Sequence, residues 1–132
     1  MASCPLAAAA REWPRRRALV HGEREWTFLE LDARAEAVRG WLAQRGVGPG
    51  ASVAVLSWNR PEVLDLFWAT VRLGARLVPL NVRLADAELR ELSRRTGPAV
   101  ILADAENATR VPGSEPLEAI PSSAPAASPS GA

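Results

Sequence analysis

The sequence contains neither lysine nor tyrosine, and it has one cysteine and one histidine among its 132 residues. All sixteen basic residues are therefore arginines. Without lysine the chain offers no Schiff-base nucleophile, no lysine general base and no lysine for a phosphate-binding loop. Cys4 alone excludes an internal disulfide and a cysteine-built metal cluster. His21, as the single histidine, argues against zinc sites and against Ser-His-Asp or Cys-His chemistry.

An excess of charge and a long apolar run are also missing. Sixteen basic and fifteen acidic residues leave a net charge of +1, which argues against a nucleic-acid partner. The most apolar stretch, residues 63–71, is interrupted by Asp65 and is far shorter than the ~20 residues that cross a bilayer. We therefore expect a cytoplasmic protein with neither a nucleic-acid nor a membrane partner. The arginines at 15–17 leave a cleaved transit peptide as the alternative.

The composition changes sharply at Pro112. Before it, the mixture of apolar and charged residues is typical of one soluble globular domain, and we predict that domain over residues 1–111. Residues 112–132 are rich in proline, serine and alanine, with only Leu117 and Ile120 as large apolar residues. Such a segment buries too little surface to offset its ordering entropy, so we predict a disordered tail. A proline-rich ligand for a partner is the alternative.

The first half of the domain predicts a helix, a hairpin and a second helix. Pro5 suits a first helical turn, and the chain from 18 to 28 predicts a β-hairpin around Gly22. Thr27 and Glu30 have the spacing of a capping box. The helix after them has one apolar face, and Gly46 ends it. That face consists of Leu31, Ala35, Val38 and Leu42.

The second half alternates strands and helices. Strands are predicted at 52–57, 77–80 and 99–103, and helices at 60–73 and 86–95. We expect Asn59 and Glu62 to form a second capping box, the helix that they open to be largely buried, and the strand at 77–80 to be buried as well. Pro79 disfavours a central position for that strand or marks its end. The predicted fold class is α/β: a parallel-sheet βαβαβ layer preceded by an N-terminal helix and a β-hairpin.

Candidate ligand-binding residues follow from this topology, because open parallel sheets bind ligands outside the carboxyl ends of their strands. Ser57 and Asn59 follow one strand, and Asn81 and Arg83 follow the next. Three of them have a structural alternative, namely a helix cap for Asn59 and a loop role for Asn81 and Arg83. We predict no catalytic, cofactor-binding or metal-ligating residue.

Other conspicuous residues favour structural interpretations. The glycines between Gly46 and Gly50 follow a helix and precede a strand, the reverse of a phosphate loop, so they predict a helix stop and a turn. His21 is expected in a solvated turn, and Cys4 as a bystander thiol without a charged neighbour. The five tryptophans are scattered over separate elements, which favours packing over a ligand-binding box.

The order of the residues resembles the N-terminal region of the adenylate-forming, AMP-dependent synthetases and ligases, and most of all acyl-CoA synthetases. The resemblance covers Arg11 to Asp104 and is carried by ALVHG, WTFLELDARA, GVGPGASVAVLSWNRPEVLDLFWATVRLGARLVPLNVRL and AELRELSRRTGPAVILAD. It implies a two-step ligation, in which a carboxylate attacks the α-phosphate of ATP and a thiol such as coenzyme A then displaces AMP. It also implies magnesium at the phosphates.

The chain departs from the family pattern where the chemistry is expected. It has neither the Ser/Thr/Gly-rich phosphate loop ending in Pro-Lys nor the catalytic lysine of the family's C-terminal domain. Ala85 stands where relatives have a serine or threonine helix cap. The resemblance thus implies an incomplete N-terminal subdomain that is inactive alone, with ATP, magnesium and coenzyme A belonging to a complete family member. The expected partner is the remainder of a synthetase or a second copy of the chain.

Overall fold

A computed structural model describes residues 4–121. The helices and strands alternate much as the sequence predicts, and a short strand follows them. The helices are α1 (Pro5–Glu12), α2 (Phe28–Gln44), α3 (Pro61–Leu73) and α4 (Asp86–Thr96). The strands are β1 (Arg17–His21), β2 (Arg24–Thr27), β3 (Ser52–Leu56), β4 (Arg76–Leu80), β5 (Val100–Ala103) and β6 (Glu115–Pro116).

The hairpin and the helix that follows it confirm the predictions for the first half. β1 and β2 pair antiparallel, with Leu19 opposite Trp26. At the start of α2 the Glu30 amide donates to the Thr27 hydroxyl at 3.1 Å, and the Thr27 amide donates to the Glu30 carboxylate at 2.8 Å. This capping box satisfies two amides that the first helical turn leaves without partners. All four residues of the predicted apolar face of α2 are buried.

The main sheet is parallel and has the order β4-β3-β5-β6. Every residue of β3 is buried, as its continuous apolar run predicts. β4 lies at the edge, which confirms the inference from Pro79, because an edge strand can accommodate a residue without an amide hydrogen. The prediction of a buried β4 is wrong, since only Leu80 in it is buried. An edge strand lacks a neighbour on one side, and this leaves the other residues partly exposed.

Separate apolar clusters cover the two faces of this sheet. On one face, α2 and α3 pack Val38, Leu42 and Leu66 against Val53 and Leu102. On the other face, α4 places Leu89 with the apolar residues of the strand ends. A third cluster joins α1 to α2 beside the hairpin.

The structure corrects the expected start of α3 and adds detail to its expected burial. Its N-cap is Arg60, so Asn59 and Glu62 do not form a capping box. Most of the helix is buried or half-buried, as predicted, but its apolar residues do not all face inward, because Phe67 and Val71 are 44% and 39% exposed. The inward face instead includes Glu62 and Asp65. Burial of these carboxylates requires partners, and the ion pairs described below supply them.

The predicted boundary at residue 111 is also corrected. β6 pairs with the end of β5, Glu115 opposite Leu102, and a 3₁₀ turn follows at Leu117–Ala119. Leu117 and Ile120 are buried in the main cluster beneath α2 and α3. The segment from 112 to 121 is therefore part of the folded domain. Residues 122–132 of the predicted tail lie outside the described residues.

Candidate functional site

Three loops meet at the carboxyl edge of the sheet, where the topology predicted a ligand. They follow β3, β4 and β5, and Asp104 joins the first to the third. Its carboxylate is buried and accepts hydrogen bonds from the Ser57 hydroxyl at 3.0 Å and from the Trp58 amide at 3.3 Å. Its other oxygen accepts from the backbone and side-chain amides of Asn107, at 3.1 and 2.6 Å. Asp104 therefore fixes the two loops to each other.

The loop after β4 reaches the same edge through Arg83. The Asn81 side-chain oxygen accepts the Arg83 amide at 2.9 Å, which closes a local turn of the Asx type. The Arg83 guanidinium carbon lies 5.7 Å from the ring centroid of Trp58, in the loop after β3. Arg110 holds this loop in place by donating to the carbonyls of Val82 and Leu84 at 2.8 and 2.6 Å.

The four sequence-predicted site residues therefore play unequal parts in the fold. Ser57 is bonded to Asp104, Asn81 shapes its own turn, and Arg83 stacks on the neighbouring loop. Asn59 is exposed and caps no helix. The geometry accounts for Ser57 and Asn81 as structural residues, while a ligand role for any of the four stays a prediction.

A further group of charged side chains at this edge is centred on Arg60. Its guanidinium donates to the Glu118 carboxylate at 2.6 Å, and it lies 3.4 Å from the buried Glu62 carboxylate. The same Glu118 oxygen accepts the Ala105 amide at 3.2 Å. Burial opposes ionisation of both partners, but the ion pair and its hydrogen bonds outweigh it. They raise the pKa of Arg60 and lower the pKa of Glu118 from their ordinary values.

These groups line a cleft of about 250 Å³, bounded by Trp58, Arg60, Asp104, Ala105, Glu106 and Glu118. Three carboxylates and one guanidinium face it. A triphosphate would meet more negative than positive charge there, and no helix-forming glycine loop offers it backbone amides. Among residues 4–121, no group of three or more histidine, cysteine, aspartate or glutamate side chains is arranged to hold a metal ion. The side chains that line this cleft therefore do not favour a bound triphosphate.

Asp104 and Glu118 belong to this edge and were not among the predicted site residues. Asp104 directly follows β5, so the rule that ligands bind outside the carboxyl ends of parallel strands (the strand-end rule) also indicates Asp104. Glu118 had no such signal, because it lies in the segment that was predicted to be disordered. Its position at the edge depends on the burial of its neighbours Leu117 and Ile120.

Cys4 has a charged neighbour, contrary to expectation. The Arg72 Nε atom lies 3.4 Å from its Sγ atom. Partial burial acts to raise the pKa of the thiol, but hydrogen bonds from the backbone at Ala7 and Leu6 and from Arg72 outweigh it and lower that pKa. Arg72 also pairs with Asp32 and Glu36 of α2, so the contact ties α1, α2 and α3 together.

The remaining conspicuous residues have structural surroundings. His21 is exposed in the hairpin. Gly46 and Gly50 follow α2 with positive φ angles of 84° and 82°, which confirms the predicted turn. Trp26 is buried, and the guanidinium carbons of Arg24 and Arg34 lie 4.8 and 4.9 Å from the centroid of its ring. In the part of the chain that the structure describes, no helix has the length and hydrophobicity that a membrane span requires.

Together, the parallel sheet, its helices on both faces and the loops at its carboxyl edge define a layer of the α/β class. Comparison with known proteins gives the family: residues 6–129 match the family described as AMP-binding enzyme, and the chain belongs to it.

Relatives and solved structures agree with this family. An acetate/butyrate–CoA ligase of Arabidopsis thaliana is 32% identical over 76% of this chain and 18% of its own length. A 2-succinylbenzoate–CoA ligase of Geobacillus kaustophilus is 39% identical over 76% of this chain and 20% of its own. The o-succinylbenzoate coenzyme A synthetase of Bacillus subtilis, solved with AMP, superposes with a TM-score of 0.72 at 31% identity, covering 76% of this chain and 26% of that structure. The chain thus spans about a fifth of the length of each of these two curated ligases.

Proposed function

We propose that this chain provides the N-terminal α/β layer of an acyl-CoA synthetase and does not adenylate a carboxylic acid by itself. One observation carries the proposal. At the carboxyl edge, where a parallel sheet binds its ligand, the Arg60 guanidinium is paired with Glu118 and the Asp104 carboxylate accepts hydrogen bonds from Ser57 and Asn107. The chain also contains no lysine that could bind a phosphate group at this edge.

The proposed family activity is the ligation of an acid to a thiol, with ATP, magnesium and coenzyme A as the partners of a complete enzyme. The named acids of the relatives range from acetate and butyrate to 2-succinylbenzoate. We therefore propose the acid–thiol ligase class, of the o-succinylbenzoate, fatty acid or aryl acid type. In this proposal the residues of the present chain fix the loops of the layer and take no part in the transfer of the adenylyl group.

Pyrophosphate release tests the proposal. The purified chain is incubated with ATP, magnesium and a panel of aliphatic and aromatic carboxylic acids, and pyrophosphate is measured with and without coenzyme A. A complete acyl-CoA synthetase in the same buffer serves as the positive control. We expect no acid-dependent pyrophosphate from the chain alone. Turnover that depends on the acid and persists after further purification would overturn the proposal.

A second candidate function is that of a non-catalytic assembly module that pairs with another polypeptide. The exposed face of α3 favours it. Phe67 and Val71 lie four residues apart on the same side of the helix, and Phe67 contacts Trp68 edge to face, with 5.1 Å between ring centroids. Burial of such side chains against a partner contributes roughly 25 cal/mol for each Å² of apolar surface.

Sedimentation velocity over a range of concentrations tests this candidate. We expect the wild-type chain to associate with itself or with a co-purified synthetase fragment, and Phe67→Gln and Val71→Gln to weaken that association. Val20→Gln is the matched control, because Val20 is 55% exposed and belongs to the hairpin, not to α3. A clean wild-type monomer, or equal effects of the three variants, would contradict an interface on α3.

A further inference from the structure

We draw no further inference here: the strongest candidate, the apolar groove of about 380 Å³ between the end of α4 and β5, lined by Pro98, Ile101 and Val111 with Arg90 and Arg94 at its rim, carries nothing because no feature of the described residues shows what covers it.

Discussion

Single side chains stabilise this fold through electrostatic contacts, and the ion pair between Arg34 and Asp65 is the clearest example. The Asp65 side chain is completely buried on α3, and Arg34 from α2 donates to both of its oxygens, the shortest bond being 2.8 Å. The same guanidinium stacks on Trp26. One arginine therefore compensates a buried charge and also covers an aromatic ring.

We expect Arg34→Ala to lower the free energy of unfolding by about 3–5 kcal/mol, because it removes the guanidinium that donates to both oxygens of the buried Asp65 carboxylate. Urea denaturation measures the loss. Arg39→Ala is the control, since Arg39 pairs with Glu36 on the exposed surface of α2 and such a pair contributes about 0.3–0.5 kcal/mol. Equal losses in the two variants would contradict a special role for the buried pair.

The pair of Arg60 and Glu118 should make stability depend on pH. The folded chain lowers the pKa of Glu118, so its contribution is complete above the pKa of a glutamate in the unfolded chain. The contribution is lost as the pH falls through the lower pKa of the folded state. Glu118 is partly exposed, so the effect is small, about 1 kcal/mol or less.

Unfolding at a series of pH values from neutral to acidic tests this expectation. Glu118→Gln should remove part of the acid-induced loss of stability that the wild-type chain shows. Glu23→Gln, in the exposed hairpin turn, should leave the pH profile unchanged. Parallel profiles for the wild type and Glu118→Gln would show that this carboxylate does not contribute.

At the scale of elements, the segment after residue 111 differs most from expectation. β6 has only two residues, too few for a hydrophobic alternation to appear in the sequence. Leu117 and Ile120 stand among prolines and small residues, and their burial depends on the apolar surface that α2 and α3 present. These contacts form between segments that are distant in the sequence, so the local composition does not reveal them.

Leu117→Ala tests whether this segment belongs to the core. We expect it to cost about 2–5 kcal/mol of unfolding free energy, because the side chain is fully buried and its removal leaves a cavity. Leu29→Ala makes the same chemical change at a position that is 55% exposed, and should change stability by about 0.5 kcal/mol or less. Chemical denaturation that finds both variants close to wild type would mean that residues 112–121 do not stabilise the domain.

The elements that the sequence predicted well are those with a strong local signal. β3 shows a continuous apolar run, α2 combines a capping box with a regular apolar face, and Pro79 points to an edge strand. α3 was predicted less well because apolar residues surround most of the helix. Hydrophobicity alone could not show that Glu62 and Asp65 face inward while Phe67 faces outward.

For the whole molecule, the strand-end rule predicted where charged and polar loops meet but not how they interact. Ser57 and Arg83 lie at the predicted edge, and Asp104 and Glu118 complete it by ion pairs and hydrogen bonds. These contacts depend on distances between elements, which the linear order of residues does not fix. The family could be recognised from the motifs, and the match over residues 6–129 agrees with that resemblance.

The basic partner in every ion pair described above is an arginine, and this has a chemical consequence. A guanidinium stays protonated far above the pH at which lysine loses its charge, so alkaline solution leaves the ion pairs of Arg60 and Arg72 in place. Reagents that acylate lysine amines, and so remove their charge, have no lysine to react with in this chain. Amine-directed labelling or surface immobilisation would therefore leave the charges that join these helices and loops unchanged.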